Sequence, residues 1–138
     1  MPHWSDKYIG RPYQLHTYDC ASLIQEIAKE EFDIDGFIPA EHGSNSVGHQ
    51  RQFMRYKSVS LEPIDKSSIQ EGDLVLMISA GRMNHIGVYY KDKASEWVVH
   101  NAAQVGAVIR TRLRSLSQLG YAIEGFYRWK KLTTLHAT

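Results

Sequence analysis

The stretch YDCASLIQEIAKE, residues 18–30, decides the fold because it places a cysteine at the start of an amphipathic helix. Asp19 fits the N-cap, since its short carboxylate can accept hydrogen bonds from the free N–H groups of a first helical turn. The apolar residues then recur at the i, i+3, i+4, i+7 and i+8 spacing of one helical face, namely Cys20, Leu23, Ile24, Ile27 and Ala28. The stretch therefore predicts a helix that begins at Cys20.

The rest of the first half predicts a loop over residues 33–45 and a weaker second helix over residues 46–56. The second half has the pattern of a sheet, because short apolar runs alternate with turn-forming residues. Five runs are candidate strands, those within EGDLVLMIS, HIGVYY, WVVHNA, GAVIRTRL and IEGFYRWKKL. Helices followed by strands are the order of an α+β fold. We expect N-terminal helices packed on a curled antiparallel sheet of about five strands.

Length and composition indicate one globular domain over residues 1–138, with 43% hydrophobic and 22% charged residues. The net charge of +1 gives no reason to expect a nucleic-acid partner. The alternating Arg110, Arg112 and Arg114 fit a solvated strand edge better. No apolar run reaches the roughly 18 residues of a membrane span, and no secretory signal is recognisable. We expect synthesis in the cytosol, and any action outside it to need a delivery route.

Cys20 is the only cysteine of the chain, and two interpretations of it stay open. A lone cysteine is often a small buried hydrophobe. At a helix N-terminus, however, unpaired N–H groups and the helix dipole stabilise a thiolate and lower its pKa. The predicted position therefore makes a nucleophile as plausible as a packing role.

Two histidines are candidate partners for that thiol. A thiolate nucleophile needs an imidazole to move protons, and the imidazole needs an orienting group. His85 begins one candidate strand and His100 ends the next. If these strands form a hairpin around residues 92–93, the histidines face each other across the ladder with Cβ atoms roughly 4.5–5.5 Å apart. Gly87 lies inside the first strand, where a glycine often marks a close approach by another group.

A zinc site built from Cys20, His85 and His100 is an alternative use of the same side chains. It is disfavoured because no close-spaced ligand pair such as CxxC or HxxxH accompanies them. We therefore expect neither a metal nor an organic cofactor. His16 is near Cys20 in sequence and is expected to line the cleft without transferring protons.

Four blocks in order, YDCASLI, EGDLVLM, NHIGVYY and VVHNA, resemble the signature motifs of the NlpC family of papain-like cell-wall cysteine peptidases. The resemblance extends from about Tyr8 to Trp129. The opening YIGRPY and the closing EGFYRW are similar to the compact versions found in phage and prophage tails. The resemblance implies a papain-like NlpC-type fold and a hydrolase of peptidoglycan stem peptides, acting at the cell wall as part of a virion tail or after delivery.

The resemblance also implies a role for each matching residue. Cys20 corresponds to the nucleophile, His85 to the general base and acid, and His100 to the orienting third member. Asp19 corresponds to a position that helps bind the free amine of a stem peptide, and Tyr13 to a cleft tyrosine that can donate a hydrogen bond near the oxyanion. The family commonly has Ser-Gly after the cysteine. This chain has Ala21-Ser22 instead, and Ser22 is kept as a candidate substrate-binding hydroxyl.

Two other interpretations of the resemblance stay open. The same fold occurs in secreted antibacterial amidase effectors, which need an immunity protein. A tail assembly protein with a vestigial site is the non-enzymatic alternative, and the intact set of Cys20, His85 and His100 argues against it. Stem peptides and other tail proteins are the expected partners of the first interpretation.

Overall fold

A computed structural model of the chain describes residues 3–14, 18–36 and 59–130. The predicted second helix over residues 46–56, the candidate cleft residue His16 and most of the predicted loop over residues 33–45 lie outside these ranges. In the described ranges, no helix is long and apolar enough to cross a membrane.

Helix α1 spans Cys20–Phe32, and it begins at the residue that the sequence predicts. Asp19 is its N-cap, and the Asp19 carboxylate accepts a hydrogen bond of 3.0 Å from the backbone N–H of Ser22. The C-cap is Asp33, whose left-handed backbone (φ 54°) turns the chain away after Phe32. All five residues of the predicted apolar stripe are buried. The periodicity and the cap are both confirmed.

Within the described residues, the sheet has six antiparallel strands in the order β1-β6-β2-β3-β4-β5. Their bounds are Leu61–Ile64 for β1, Leu74–Ser79 for β2, Arg82–Lys91 for β3, Glu96–Ala102 for β4, Ala107–Arg112 for β5 and Ala122–Trp129 for β6. Strands β2 to β6 correspond to the five candidate runs. The α+β class is confirmed. The sheet has one strand more than the five that were expected.

Strand β1 was not predicted because its sequence, LEPI, contains a proline. A proline has no backbone N–H to donate to a ladder, so it counts against a central strand. β1 is an edge strand that pairs only with β6, where Pro63 lies opposite Tyr127. An edge position tolerates the missing donor.

The two faces of the sheet carry separate cores. Helix α1 packs against β3 and β4 on one face, around Ile24, Ile86 and Val99. On the other face, Val98 packs with Tyr121 beside the short 3₁₀ helix Leu113–Leu119. Because successive side chains on a strand point to opposite faces, a residue's position along β3 or β4 decides which core it enters.

The β3–β4 ladder sets the relative position of the two histidines. It runs from Lys91 opposite Glu96 to Val88 opposite Val99 and ends there. The hairpin loop covers residues 92–95, closed by a hydrogen bond from Asp92 N–H to the Ser95 carbonyl. The predicted turn around residues 92–93 is therefore too early, and His85 and His100 are not directly opposed. The shift is two residues, and an even shift keeps both side chains on the same face.

Candidate active site

A cavity of about 190 Å³ lies beyond the point where the β3–β4 ladder ends. It collects side chains from the N-terminal segment, the start of α1, three strands and the loops next to them. The lining residues are Tyr13, Cys20, Ser79, His85, Asn101, Ala103, Gln104 and Tyr121. The cavity thus contains the cysteine, one of the two predicted histidines and the predicted cleft tyrosine.

Cys20 is buried at the first residue of α1, with 8% of its surface exposed. Burial, and secondarily the charge of Asp19, raise the pKa of the Cys20 thiol to about 12. Backbone N–H groups of Ile86, Ala21 and Cys20 itself act in the opposite direction. The expectation that the helix start lowers this pKa is therefore wrong, because the loss of hydration outweighs the N-terminal amides.

Burial also disfavours the charged form of His85, and for an imidazole this lowers the pKa. His85 is 5% exposed, and burial followed by the nearby His100 hold its pKa well below the usual value. Burial likewise lowers the pKa of His100 to about 4. Burial therefore favours the uncharged forms of both the thiol and the imidazoles.

The two histidines form a hydrogen-bonded chain with a threonine. His85 Nε2 lies 2.7 Å from His100 Nδ1, and His100 Nε2 lies 2.8 Å from Thr111 Oγ1. A neutral imidazole has one donor nitrogen and one acceptor nitrogen. If His100 Nε2–H donates to Thr111, His100 Nδ1 accepts from His85 Nε2–H. His85 Nδ1 is then the basic nitrogen, free to take a proton from a thiol.

Gly87 makes the approach of His100 possible. A Cβ built on Gly87 would lie 2.5 Å from Val98 Cγ1, 2.9 Å from the Val99 carbonyl oxygen and 3.0 Å from His100 Cβ. Contacts this short are too close for any side chain without displacement of β4. The sequence-based prediction of a close approach at this glycine is confirmed, and the approaching group is the β4 segment that carries His100.

Of the remaining predicted site residues, Tyr13 lines the cavity, whereas Asp19 and Ser22 form the helix cap. Tyr13 is half-buried and lines the cavity. Burial, followed by electrostatic interaction with Cys20 and Asp19, raises the Tyr13 pKa to about 12, so this phenol stays protonated at neutral pH. Asp19 and Ser22 do not line the cavity. The Ser22 hydroxyl donates to Asp19 Oδ1 over 3.0 Å, so it is engaged in the helix cap.

Thr111 and Tyr121 are site residues that the sequence did not reveal. Thr111 is on β5 and reaches His100 only because β4 and β5 pair with Val98 opposite Thr111, two residues from His100. The sequence signal that could have indicated Thr111 is a hydroxyl side chain on the strand that follows His100. Tyr121 follows a loop, and no periodicity marks it. Its ring is stacked on His85, with centroids 4.4 Å apart.

The histidine geometry also bears on the zinc alternative. His85 Nε2 and His100 Nδ1 point at each other across 2.7 Å, so these two atoms cannot both bind one metal ion. Across residues 3–14, 18–36 and 59–130, no group of three or more His, Cys, Asp or Glu side chains is arranged to hold a metal.

A larger cavity of about 400 Å³ lies at the other end of β3 and β4. Its lining is mostly charged and includes Lys91, Asp92, Glu96 and Arg112, but it has no cysteine or histidine. Of these two cavities, the smaller one is lined by both a cysteine and a histidine.

The structure combines an α+β fold with a cysteine at a helix start and a histidine, hydrogen-bonded to a second one, in the same cavity. The sequence matches the NlpC/P60 family over residues 10–118, and the chain belongs to that family. The family generally comprises cysteine peptidases associated with the cell wall. Neither a curated protein nor a solved structure matches the chain significantly.

Proposed function

We propose that the chain is a peptidoglycan hydrolase that cleaves amide bonds in stem peptides by a thiol mechanism. The observation that carries this proposal is that Cys20 and His85 line one cavity, with His85 hydrogen-bonded through its other nitrogen to His100. Membership of the NlpC/P60 family supports the cell-wall substrate.

The chemistry begins with a proton transfer from the Cys20 thiol to His85 Nδ1 as the sulfur attacks the amide carbonyl carbon. Because burial favours the uncharged forms of both thiol and imidazole, transfer and attack are coupled. The C–N bond then breaks, the leaving amine takes the proton from His85, and an acyl thioester remains on Cys20. Water attacks this thioester while His85 accepts its proton. The C–S bond breaks, the proton returns to the sulfur, and a carboxylic acid leaves.

His100 orients the base without becoming charged. His85 donates from Nε2 to His100 in both the neutral and the protonated state, so the hydrogen bond persists through the cycle. The developing oxyanion takes hydrogen bonds from the backbone N–H of Cys20 and from the Tyr13 hydroxyl. Tyr13 fits this role because it lines the cavity in its protonated form.

We propose that Asp19 and Ser22, at the start of α1, contribute to substrate recognition. Asp19 does not line the cavity, but it is half-buried and its charge acts on the Cys20 thiol next to it, which supports a proposed role in attracting the free amine of a stem peptide. Ser22 acts there by holding Asp19 Oδ1 in place, rather than through a direct substrate contact. From the similarity of the chain's opening and closing segments to tail-associated forms, we further propose action at the cell wall as a component of a phage or prophage tail.

The test is digestion of purified sacculi followed by mass spectrometry of the released muropeptides. Wild type is expected to release fragments with new amino termini, and Cys20→Ala is expected to release none while retaining its circular dichroism spectrum. Sacculi that stay intact with wild type, from mildly acidic to mildly alkaline pH, would contradict the hydrolase. Equal digestion by Cys20→Ala would contradict the thiol mechanism.

A further inference from the structure

Tyr121 makes two ring contacts with the histidine pair. Its ring is nearly parallel to His85, with centroids 4.4 Å apart and planes inclined by 13°. It meets His100 edge-on, with centroids 5.7 Å apart and planes inclined by 85°. Stacked and edge-to-face arrangements are the preferred geometries for aromatic pairs. One side chain therefore contacts both rings of the hydrogen-bonded pair.

We propose that Tyr121 is a positioning residue that fixes the ring plane of His85 and shields it from water. This inference rests on the proposed function, since His85 is the base of that reaction. Tyr121 acts through His85. The Tyr121 ring, rather than the Tyr121 hydroxyl, is the group that positions and shields the imidazole.

The hydrogen bond to His100 does not prevent the His85 ring from tilting, whereas the stacked Tyr121 ring restricts that tilt. The hydrogen bond holds His85 Nε2 at one point, about which the imidazole plane can still tilt. A tilt would turn Nδ1 away from the thiol. A parallel ring at 4.4 Å blocks tilting toward its own side. Misplacing a reacting group by about 1 Å can cost on the order of 100-fold in rate.

Tyr121 is itself held firmly enough for this task. The preceding Gly120 has a left-handed backbone (φ 86°) and ends the 3₁₀ helix Leu113–Leu119. The backbone N–H of Tyr121 donates to the Leu116 carbonyl over 3.1 Å, and its side chain packs with the buried Leu116 in the core of that face. Only 6% of the Tyr121 surface is exposed. The ring is thus fixed by the core and not by the histidines alone.

The stack also sets the surroundings in which His85 titrates. The ionisable groups that share its cavity or contact it are Cys20, Tyr13, His100 and Tyr121, and burial shifts the pKa of each of them toward its uncharged form. Burial is the main cause of the low His85 pKa. Removing the Tyr121 ring admits water, so the His85 pKa is expected to rise toward the ordinary value of about 6.5.

The test compares Tyr121→Phe, which keeps the ring, with Tyr121→Leu, which removes it. Phe is expected to retain the wild-type kcat and the wild-type acid limb of the pH profile. Leu is expected to lower kcat roughly 10- to 100-fold, with little change in KM, and to move the acid limb to higher pH. Tyr89→Leu is the matched control, since Tyr89 packs in the same core, whereas the ring contacts of His85 within the described residues are with His100 and Tyr121.

A second measurement keeps this proposal separate from the hydrolase proposal. NMR titration of the His85 ring in a Cys20→Ala background needs no activity, and Tyr121→Leu should raise the His85 pKa there while Tyr89→Leu should not. An unchanged His85 pKa in a folded Tyr121→Leu protein would overturn the proposal. So would a Tyr121→Phe enzyme as impaired as Tyr121→Leu, because the hydroxyl would then be the active part.

Discussion

His85 Nε2 and His100 Nδ1 lie 2.7 Å apart on the face of the sheet opposite to the helix that begins with Cys20. Cys20 belongs to the core on the helix side, whereas Tyr121, which is stacked on His85, belongs to the core on the other side. Cys20 and His85 line one cavity near the point where the β3–β4 ladder ends, at Val88 and Val99. The backbone N–H of Ile86, the residue after His85, is then close enough to interact with the Cys20 sulfur.

Replacing Thr111 with Val should impair His100. The change removes the hydroxyl that lies 2.8 Å from His100 Nε2 while keeping the shape of the side chain. In the tautomer used in the proposed mechanism, the Nε2–H is then a buried donor without its partner. We expect kcat to fall several-fold and the free energy of unfolding to fall by about 1–3 kcal/mol. Kinetics on muropeptides and urea denaturation measure the two effects. Thr111→Ser retains the hydroxyl and should stay close to wild type. A fully active Thr111→Val enzyme would show that the threonine does not set the tautomer.

Replacing Gly87 with Ala should displace His100. The new Cβ would meet the Val99 carbonyl and His100 Cβ at 3.0 Å or less, so β4 must move. Overpacking of this kind typically costs about 1–3 kcal/mol of stability, and we expect the hydrolase activity to fall further than the stability alone explains. Gly125→Ala is the matched control in strand β6, because its closest contact is the Tyr127 ring at 3.3 Å. Equal behaviour of the two variants would argue against a special role for Gly87.

Replacing Asp19 with Asn should make the thiol more acidic. The carboxylate raises the Cys20 pKa, whereas Asn is about as good an N-cap as Asp, so the helix start is preserved. The pH midpoint for alkylation of Cys20 by iodoacetamide should therefore move to lower pH, whatever happens to substrate binding. Asp33→Asn, at the other end of the same helix, is the control and should leave the midpoint in place. A midpoint that moves upward would reverse the assigned effect of Asp19.

The buried histidines predict a loss of stability on mild acidification. Burial depresses the pKa of both His85 and His100, so below about pH 6.5 the unfolded chain binds protons that the folded chain does not. Stability therefore falls as pH falls, by up to about 1.4 kcal/mol per pH unit for each histidine. The window extends from about 6.5 toward the His100 pKa of about 4.

Urea denaturation at a series of pH values tests this slope. The acidic groups with lowered pKa, such as Glu96, begin to contribute only near their ordinary value of about 4.3 and below. The interval from about pH 6.5 to 5 therefore isolates the histidines. A free energy of unfolding that stays constant over that interval would mean that they are already charged, or solvated, in the folded protein.

Sequence patterns predicted the features that depend on residues close together in the chain, such as the start of a helix and the alternation of side chains along a strand. The start of α1 at Cys20 follows from helical periodicity and the Asp19 cap, and both signals lie within a few residues of each other. The shared face of His85 and His100 was predicted correctly despite the wrong turn, because a register error of two residues preserves the alternation of a strand.

The missed features depend on tertiary contacts. The Cys20 pKa is raised by burial under the finished sheet, which no helix-start signal reports. Thr111 and Tyr121 join the site through the pairing of β4 with β5 and through the end of a 3₁₀ helix. Strand β1 was hidden by Pro63, which is acceptable only because β6 places it at the edge.

The position of β6 has a consequence for how the protein is made. This strand is the last in the described sequence, yet it lies between β1 and β2, so those two cannot be bridged until residues 122–129 have left the ribosome. Tyr121 is synthesised immediately before them. A nascent chain therefore carries Cys20 and both histidines before β1 and β2 can be joined through β6. Completion of the six-stranded sheet is consequently a late step in the synthesis of the described segment.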